Sequence, residues 1–232
     1  RIIDFVLSFG ALTVLWPLLL ILAVIGAIKM KGNPFFVQPR PGKIDPKTGK
    51  ELWSYDNWDC HISCAPVTAA GDNKFLVVGG YEQGASMFQV VKGADGKYST
   101  KELFATVEFG DQTKPALLHN GLFYAMYGTN SRRDGLCCMD MNGNVLWKTK
   151  RAPNFDKGSM IYVDGLLLAT DGADALYLID PSPEGYKQLA KADLLKSDIA
   201  TEGRGNWAPL ALADGMLLIR NHSKMMCVKV TK

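Results

Sequence analysis

The stretch PALLHNGLFYAMYG at residues 115–128 decides how most of this 232-residue chain folds. A short apolar run is followed by the pair Asn120-Gly121 and then by a second apolar run. Asn-Gly pairs supply the positive φ angles that two-residue hairpin turns require. The stretch therefore predicts two antiparallel strands joined by a tight turn.

The same pattern occurs three more times along the chain. It reads APVTAAGDNKFLVVGG at 65–80, SMIYVDGLLLATDG at 159–172 and APLALADGMLLIRN at 208–221. The turn pairs are Asp72-Asn73, Asn120-Gly121, Asp164-Gly165 and Asp214-Gly215, which are 48, 44 and 50 residues apart.

A second kind of strand-turn-strand segment alternates with the first. It reads KIDPKTGKELWSY (43–55), MFQVVKGADGKYSTKELF (87–104), LCCMDMNGNVLWKTK (136–150), LYLIDPSPEGYKQLA (176–190) and MMCVKVTK (225–232). A period of about 40–50 residues with four strands per repeat is typical of β-propeller blades. Only residues 180–198 have the composition of a helical turn, and we expect them to be mostly a loop.

One motif points to a particular type of propeller. The pattern D-x-x-T-G-x-x-L-W at 45–53 resembles the PQQ-like (quinoprotein-type) repeat, and its Gly49/Trp53 element recurs as Gly143/Trp147. The resemblance covers about residues 44–232 and implies that both tryptophans dock between neighbouring blades.

The number of repeats predicts an all-β propeller of about four blades, or half of a larger one. The pieces at 50–55 and 208–231 look like complementary parts of one blade, which suggests that they pair and close a ring. The resembling family generally has six to eight blades.

The N-terminal region has a different character. No charged residue occurs in the 24 positions from Phe5 to Ile28, and about 20 apolar residues suffice to cross a membrane. We expect one membrane-embedded helix, either spanning or re-entrant, because Pro17 after Trp16 interrupts its middle. A cleavable signal peptide is the rival, although its apolar region is normally about 7–15 residues long.

Residues 1–43 also resemble a known family. The segment Arg1-Ile-Ile-Asp-Phe5, the break at Pro17, and KGNPFF (31–36) with its following Q-x-R-x-G-K are similar to the N-terminus of bacterial sugar transferases. These are monotopic phosphoglycosyl transferases acting on polyprenyl phosphate. The resemblance implies a re-entrant helix, although Trp16 stands where the family usually has Ser. The family's catalytic Asp-Glu pair is not found after Lys43.

The two regions, 1–43 and 44–232, give conflicting indications of location. Lys29, Lys31, Arg40 and Lys43 follow the apolar run, which favours a cytoplasmic position for its C-terminal side. PQQ-like propellers usually lie outside the inner membrane. We expect a periplasmic propeller at a bacterial inner membrane, with the cytoplasmic face as the alternative.

Composition and cysteine usage exclude several functions. The net charge of +3 does not indicate a nucleic-acid partner. Five cysteines fit no complete disulfide framework and suit a reducing compartment. The adjacent Cys137 and Cys138 are interpreted as small buried thiols, although quinoprotein alcohol dehydrogenases have a vicinal disulfide. The set of Cys60, His61 and Cys64 lacks a second pair of metal ligands.

Two further features are interpreted structurally. Trp58 and Trp207, each preceded by Asn, are expected to pack between blades, with exposure on one face of the ring as the alternative. The motif Arg132-Arg133-Asp134 is interpreted as a solvated turn rather than an anion site.

These observations favour a membrane-anchored binding or scaffold module for protein or glycan partners, with membrane lipid as a further partner. We expect no catalytic residues, no metal and no cofactor. One alternative is a quinone-dependent dehydrogenase that binds PQQ and calcium. The other is a truncated or chimeric polyprenyl-phosphate sugar transferase without its catalytic segment.

Overall fold

The computed structural model describes residues 15–17, 20, 42–62, 64–196 and 205–230. The chain divides into two compact units, Arg1–Pro39 and Arg40–Lys232. In the first unit the described residues are helical, and the side chains of Leu15, Trp16 and Leu20 are exposed. Phe5 and Ile28 lie outside the described residues. No helix within the described part is long and apolar enough to cross a membrane.

The second unit is built from five antiparallel sheets. The first sheet contains β1 (Gly42–Ile44) and β2 (Glu51–Ser54). The second contains β3 (Thr68–Ala69), β4 (Lys74–Gly79), β5 (Gly84–Lys92) and β6 (Tyr98–Thr106). The third contains β7 (Leu117–His119), β8 (Leu122–Met126), β9 (Leu136–Asp140) and β10 (Val145–Lys148).

The fourth and fifth sheets continue the series. The fourth contains β11 (Met160–Val163), β12 (Leu166–Thr170), β13 (Leu176–Asp180) and β14 (Lys187–Ala192). The fifth contains β15 (Ala211–Ala213), β16 (Met216–Arg220) and β17 (Met225–Lys229). Every strand pairs with its neighbour in sequence, so each sheet is a meander.

The predicted hairpin turns are confirmed. At Asn120-Gly121 the φ angles are +48° and +75°, and His119 pairs with Leu122 across the turn. The turns at Asp72, Asp164 and Asp214 also have positive φ angles. These angles match the right-handed twist of the flanking strands, which fixes the register of each hairpin.

Alternating side chains place a core on both faces of the inner sheets. On β8, Phe123 and Ala125 face the second sheet, whereas Tyr124 and Met126 face the fourth, and all four are buried. Further apolar clusters join the first sheet to the second and the fourth to the fifth. Fully burying one such side chain contributes about 1.5–3 kcal/mol, so the sheets are held together mainly by contacts between faces.

Two details differ from the sequence-based expectations. The pieces at 50–55 and 208–231 do not pair, because β2 is bonded to β1 and the fifth sheet is a separate three-stranded meander. Residues 187–192 form β14, which pairs with β13, so the strand-turn-strand prediction for 176–190 is confirmed and the expectation of a loop over most of 180–198 is wrong for this strand. In the register of these two strands Leu178 lies opposite Ala190 and Tyr177 lies opposite Lys191. Pairing with β13 therefore decides the extended conformation of β14.

Candidate functional site

The meander topology collects the longer connections of the second unit at one edge of the sheets. In each sheet the second strand ends and the first strand begins at this edge, because successive strands run in opposite directions. We call this edge the loop face. Among the described residues it comprises 55–62, 64–67, 80–83, 107–116, 127–135, 149–159, 171–175, 193–196, 205–210 and 221–224. The opposite edge carries hairpin connections of two to six residues, whereas the loop face also carries the longer connections from one sheet to the next, so the loop face is the better candidate for binding.

A cleft of about 590 Å³ opens on the loop face between the third and fourth sheets. Its lining comes from three loops and the adjoining strand β13, namely Gly128, Thr129, Asn130, Ser131, Arg133, Pro153, Asn154, Asp156, Asp171, Ala173 and Tyr177. Gly128 permits the close approach of two of these loops, since a Cβ there would lie 2.4 Å from the carbonyl oxygen of Phe155. The volume is within the range of about 300–1,000 Å³ typical of small-ligand sites.

A buried ion network holds one wall of this cleft in place. The Asp134 side chain is completely buried, and its Oδ1 accepts a bond of 2.6 Å from Lys150 Nζ. Its Oδ2 accepts bonds from Lys148 Nζ at 2.9 Å and Asn130 Nδ2 at 2.7 Å. Although burial opposes ionisation, these donors lower the pKa of Asp134 to about 2. The interpretation of this motif as a solvated turn is therefore wrong for Asp134.

The two arginines of the motif have different environments. Arg132 donates to Glu108 Oε1 at 2.5 Å and to the carbonyl oxygen of Val107 at 3.1 Å, and its Nη2 lies 3.2 Å from Asp134 Oδ2. Arg133 has a φ of +50° and lines the cleft. Within the described residues no hydrogen bond or ion pair engages its guanidinium. Arg132 therefore belongs to the structural network, while Arg133 is available to a ligand.

Oxygen and amide groups complete the cleft. Asp156 lies 3.2 Å from Lys157 Nζ, and Asp171 Oδ1 accepts bonds of 2.8 and 3.2 Å from the backbone N–H groups of Ala173 and Ala175. Asn154 is exposed, and none of the contacts among the described residues occupies its amide. Donors and acceptors with unused bonding capacity therefore face the same space.

An exposed tryptophan lies beside the cleft. The Trp207 ring is 44% exposed, and Lys157 Nζ lies 5.0 Å from its centroid. Lys114 Nζ donates to the Trp207 carbonyl oxygen at 2.9 Å, and Asn206 Nδ2 donates to the carbonyl oxygen of Ala173. Trp58, by contrast, is buried against the second sheet. Packing between sheets is therefore correct for Trp58 and wrong for Trp207.

The repeated Gly/Trp motifs lie away from the cleft. Trp53 contacts Phe75 and Phe88 in the second sheet, with centroid distances of 5.7 and 5.9 Å. Trp147 Nε1 donates to the carbonyl oxygen of Ser182 at 2.7 Å, which links the third sheet to the fourth.

The glycines of these motifs lie in the turns that precede the tryptophans. Gly49 and Gly143 have φ angles of +69° and +88°. A Cβ on Gly143 would approach the Phe104 ring to 2.8 Å.

The sulfur-containing and imidazole side chains do not form a reactive centre in the described part of the chain. Cys137 and Cys138 are buried free thiols, as expected, and burial raises the pKa of each, to about 12 and about 11. His119 stacks on Tyr162 at a centroid distance of 3.8 Å. Among the described residues, no three His, Cys, Asp or Glu side chains converge in a geometry able to hold a metal ion.

Sequence reasoning did not identify the cleft. Asn154, Asp156 and Asp171 lie in different loops, and only the arrangement of adjacent sheets brings them together. The available signal was the length of the loops 127–135 and 149–159 compared with the two-residue turns at the opposite edge.

No protein-family model matches the chain, and no curated protein matches it. The chain is similar in structure to the computationally designed Ika8 protein, with a TM-score of 0.52 and 11% identity over 78% of this chain and 49% of that one. It is also similar to the computationally designed Ika4 protein, with a TM-score of 0.50 and 10% identity over 79% of this chain and 100% of that one. The chain thus spans about half the length of Ika8.

A xyloglucan PUL GH43B from Bacteroides ovatus matches at a TM-score of 0.40 and 13% identity, over 66% of this chain and 34% of that one. These similarities concern the arrangement of strands. The observed all-β fold of successive antiparallel meanders is consistent with a β-propeller.

Proposed function

We propose that residues 44–232 form a PQQ-like β-propeller region of about four blades, or half of a larger propeller, which binds saccharide chains without transforming them. The observation that carries the proposal is the cleft of about 590 Å³ on the loop face. Its uncommitted Asn154 amide and Arg133 guanidinium, together with the remaining acceptor positions of Asp156 and Asp171, suit hydroxyl groups, which both donate and accept hydrogen bonds.

Trp207 supplies the apolar part of the proposed site. Its exposed ring lies next to Lys157, whose ammonium is also 3.2 Å from the Asp156 carboxylate in the cleft wall. A flat, half-exposed aromatic ring packs against the apolar face of a sugar while polar groups bind the hydroxyls. The Trp207 ring and the cleft together suit more than one sugar unit.

The arrangement of potential reactive groups favours binding over catalysis. Cys137 and Cys138 are buried in β9, with raised thiol pKa values, rather than facing the cleft. Asp171 and Asp156 are held by backbone N–H groups and by Lys157, respectively, as expected of groups that accept hydrogen bonds from a ligand.

We further propose that residues 5–28 hold this module at a bacterial inner membrane, with the sheets on the periplasmic side. The support is the uncharged run between Phe5 and Ile28. Protease accessibility of the second unit in spheroplasts tests the side on which it lies.

Saccharide binding is tested with the full chain in detergent, first on an array of neutral and acidic oligosaccharides and then by isothermal titration calorimetry. We expect Trp207→Ala to weaken binding at least tenfold, because the stacking surface is lost. Tyr98→Ala is the matched control, since Tyr98 is also an exposed aromatic residue but lies at the opposite edge. Absence of saccharide binding, or equal effects of the two variants, would contradict the proposal.

A further inference from the structure

We infer that the cleft selects saccharides containing a uronic acid, with the carboxylate of the sugar bound by the Arg133 guanidinium. This inference rests on the proposed saccharide binding and specifies its ligand class. Three properties of the cleft support it, namely the state of its cations, the placement of its acceptors and the way its loop is held.

The first property is that Arg133 is the cleft cation with unused bonding capacity. Lys157 at the rim is paired with Asp156 at 3.2 Å. Lys148 and Lys150 bind the buried Asp134, at 2.9 and 2.6 Å. Among the described residues, only Arg133 brings a positively charged group to the lining without a carboxylate partner. A guanidinium presents a planar fork that matches a carboxylate through two parallel hydrogen bonds.

The second property is the presence of two carboxylates, Asp156 and Asp171, in the same lining. They accept hydrogen bonds from sugar hydroxyls. They also repel a ligand with a high density of negative charge, because like charges at close range are unfavourable. A phosphate dianion is therefore a poor match, whereas a polyol with one carboxylate satisfies Arg133 and leaves its hydroxyls for the two aspartates and Asn154.

The third property is that the Arg133 backbone is held rigidly. Its N–H donates to the carbonyl oxygen of Asn130 at 3.0 Å, and the following residue, Asp134, anchors the loop in the ion network. Asn130 is itself bonded to Asp134 through both its amide nitrogen and its amide oxygen. Holding the loop before binding reduces the entropic cost of ordering it around a ligand.

The test compares trigalacturonate with its methyl ester, which has the same sugar rings without the charges. Affinities are measured by isothermal titration calorimetry on the full chain in detergent at low and moderate salt. We expect trigalacturonate to bind at least tenfold more tightly than the ester. Arg133→Gln should remove most of this preference and leave the affinity for the ester within about twofold. Arg133→Lys should keep only part of the preference for trigalacturonate, because an ammonium group lacks the planar pair of N–H donors that a guanidinium presents to a carboxylate.

Arg151→Gln is the matched control, because Arg151 is an exposed arginine of the same face that does not line the cleft. A similar loss of preference in Arg151→Gln would overturn the inference by showing a general effect of net charge. Circular dichroism and the melting temperature establish that each variant is folded. Equal affinity for the acid and the ester would overturn uronate selection while leaving saccharide binding intact. Absence of binding to any saccharide would overturn the proposed function itself.

Discussion

Asp111 and Asp134 are both removed from solvent, yet their surroundings shift the two carboxyl pKa values in opposite directions. Asp134 is bonded to the ammonium groups of Lys148 and Lys150, and its pKa falls to about 2. Asp111 accepts bonds from the backbone N–H groups of Thr113, Lys114 and Met126, at 2.9, 2.9 and 3.0 Å. Burial outweighs these neutral donors and raises the pKa of Asp111 to about 7.

The two pKa values differ because the groups that contact the two carboxylates differ in charge. Neutral N–H groups satisfy the hydrogen bonds of a carboxylate but only partly replace the solvation of its charge. Positively charged ammonium groups, such as those around Asp134, both satisfy the hydrogen bonds of a carboxylate and replace the solvation of its charge. The loop that carries Arg133 is therefore held by an ionised group throughout the neutral range, whereas the loop of Asp111 contains a group that titrates near neutrality. The following predictions test this contrast.

The largest effect is expected for Asp134→Asn. The variant removes one of the two carboxylates that contact the nearly buried ammonium of Lys148, the other being Glu108 at 2.7 Å, and breaking a buried ion pair in this way costs about 3–5 kcal/mol. Urea unfolding of the full chain in detergent at pH 7 measures the loss. The control is Asp140→Asn, which changes a turn carboxylate bonded to the N–H groups of Asn142 and Asn144 and should cost about 0.5–1.5 kcal/mol. Equal losses in the two variants would show that the network does not hold the fold.

An intermediate effect is expected for Lys148→Met, at about 1–3 kcal/mol, because Asp134 keeps Lys150 and Arg132. In the wild type the contribution of Asp134 is complete above its ordinary pKa of 3.8 and is lost as the pH falls towards 2. With one cation fewer, the pKa of Asp134 in the folded protein rises. Acid unfolding, followed by circular dichroism, should therefore begin at a higher pH.

Lys187→Met provides the comparison for that variant. Lys187 pairs with Asp180 at 2.7 Å in an exposed position, where solvent screens the pair and its contribution to stability is small. An acid transition that does not move in Lys148→Met, or that moves as far in Lys187→Met, would contradict the role assigned to the buried network.

The last effect concerns pH and Asp111. Because the pKa of Asp111 is raised from 3.8 to about 7 on folding, the free energy of unfolding should decrease as the pH rises between these values. We expect a decrease of about 2 kcal/mol between pH 5 and pH 7, within the limit of about 1.4 kcal/mol per pH unit for one group. Asp111→Asn should abolish this decrease in urea unfolding, and carbon NMR should show the carboxyl titrating near pH 7. If the Asp111 carboxyl group titrates near pH 4, the proposed difference between Asp111 and Asp134 is wrong.

The hairpins could be predicted from short stretches because their physical cause is local. Asp164-Gly165 forms its turn through positive φ angles that depend on these two residues, and alternating apolar residues on either side define the buried faces. The buried thiols of Cys137 and Cys138 follow from the uninterrupted apolar run at the start of β9, which is typical of a strand covered on both faces. These features need no knowledge of distant parts of the chain.

The candidate site could not be predicted in the same way. Trp58 and Trp207 both follow an asparagine before the first strand of a sheet, yet one is buried and the other is 44% exposed. Arg132 and Arg133 are adjacent in sequence, but one binds Glu108 while the other lines the cleft. The neighbouring loops decide each outcome, and these loops come from different sheets.

The sequence by itself determined an all-β region of repeated antiparallel hairpins, because turn chemistry and alternation act over a few residues. Only the tertiary structure decided that the pieces at 50–55 and 208–231 lie in separate sheets. It also decided which carboxylates meet cations and which side chains line the cleft. Strand pairing, burial and electrostatics depend on residues far apart in sequence, so these features arise only when the sheets pack against one another.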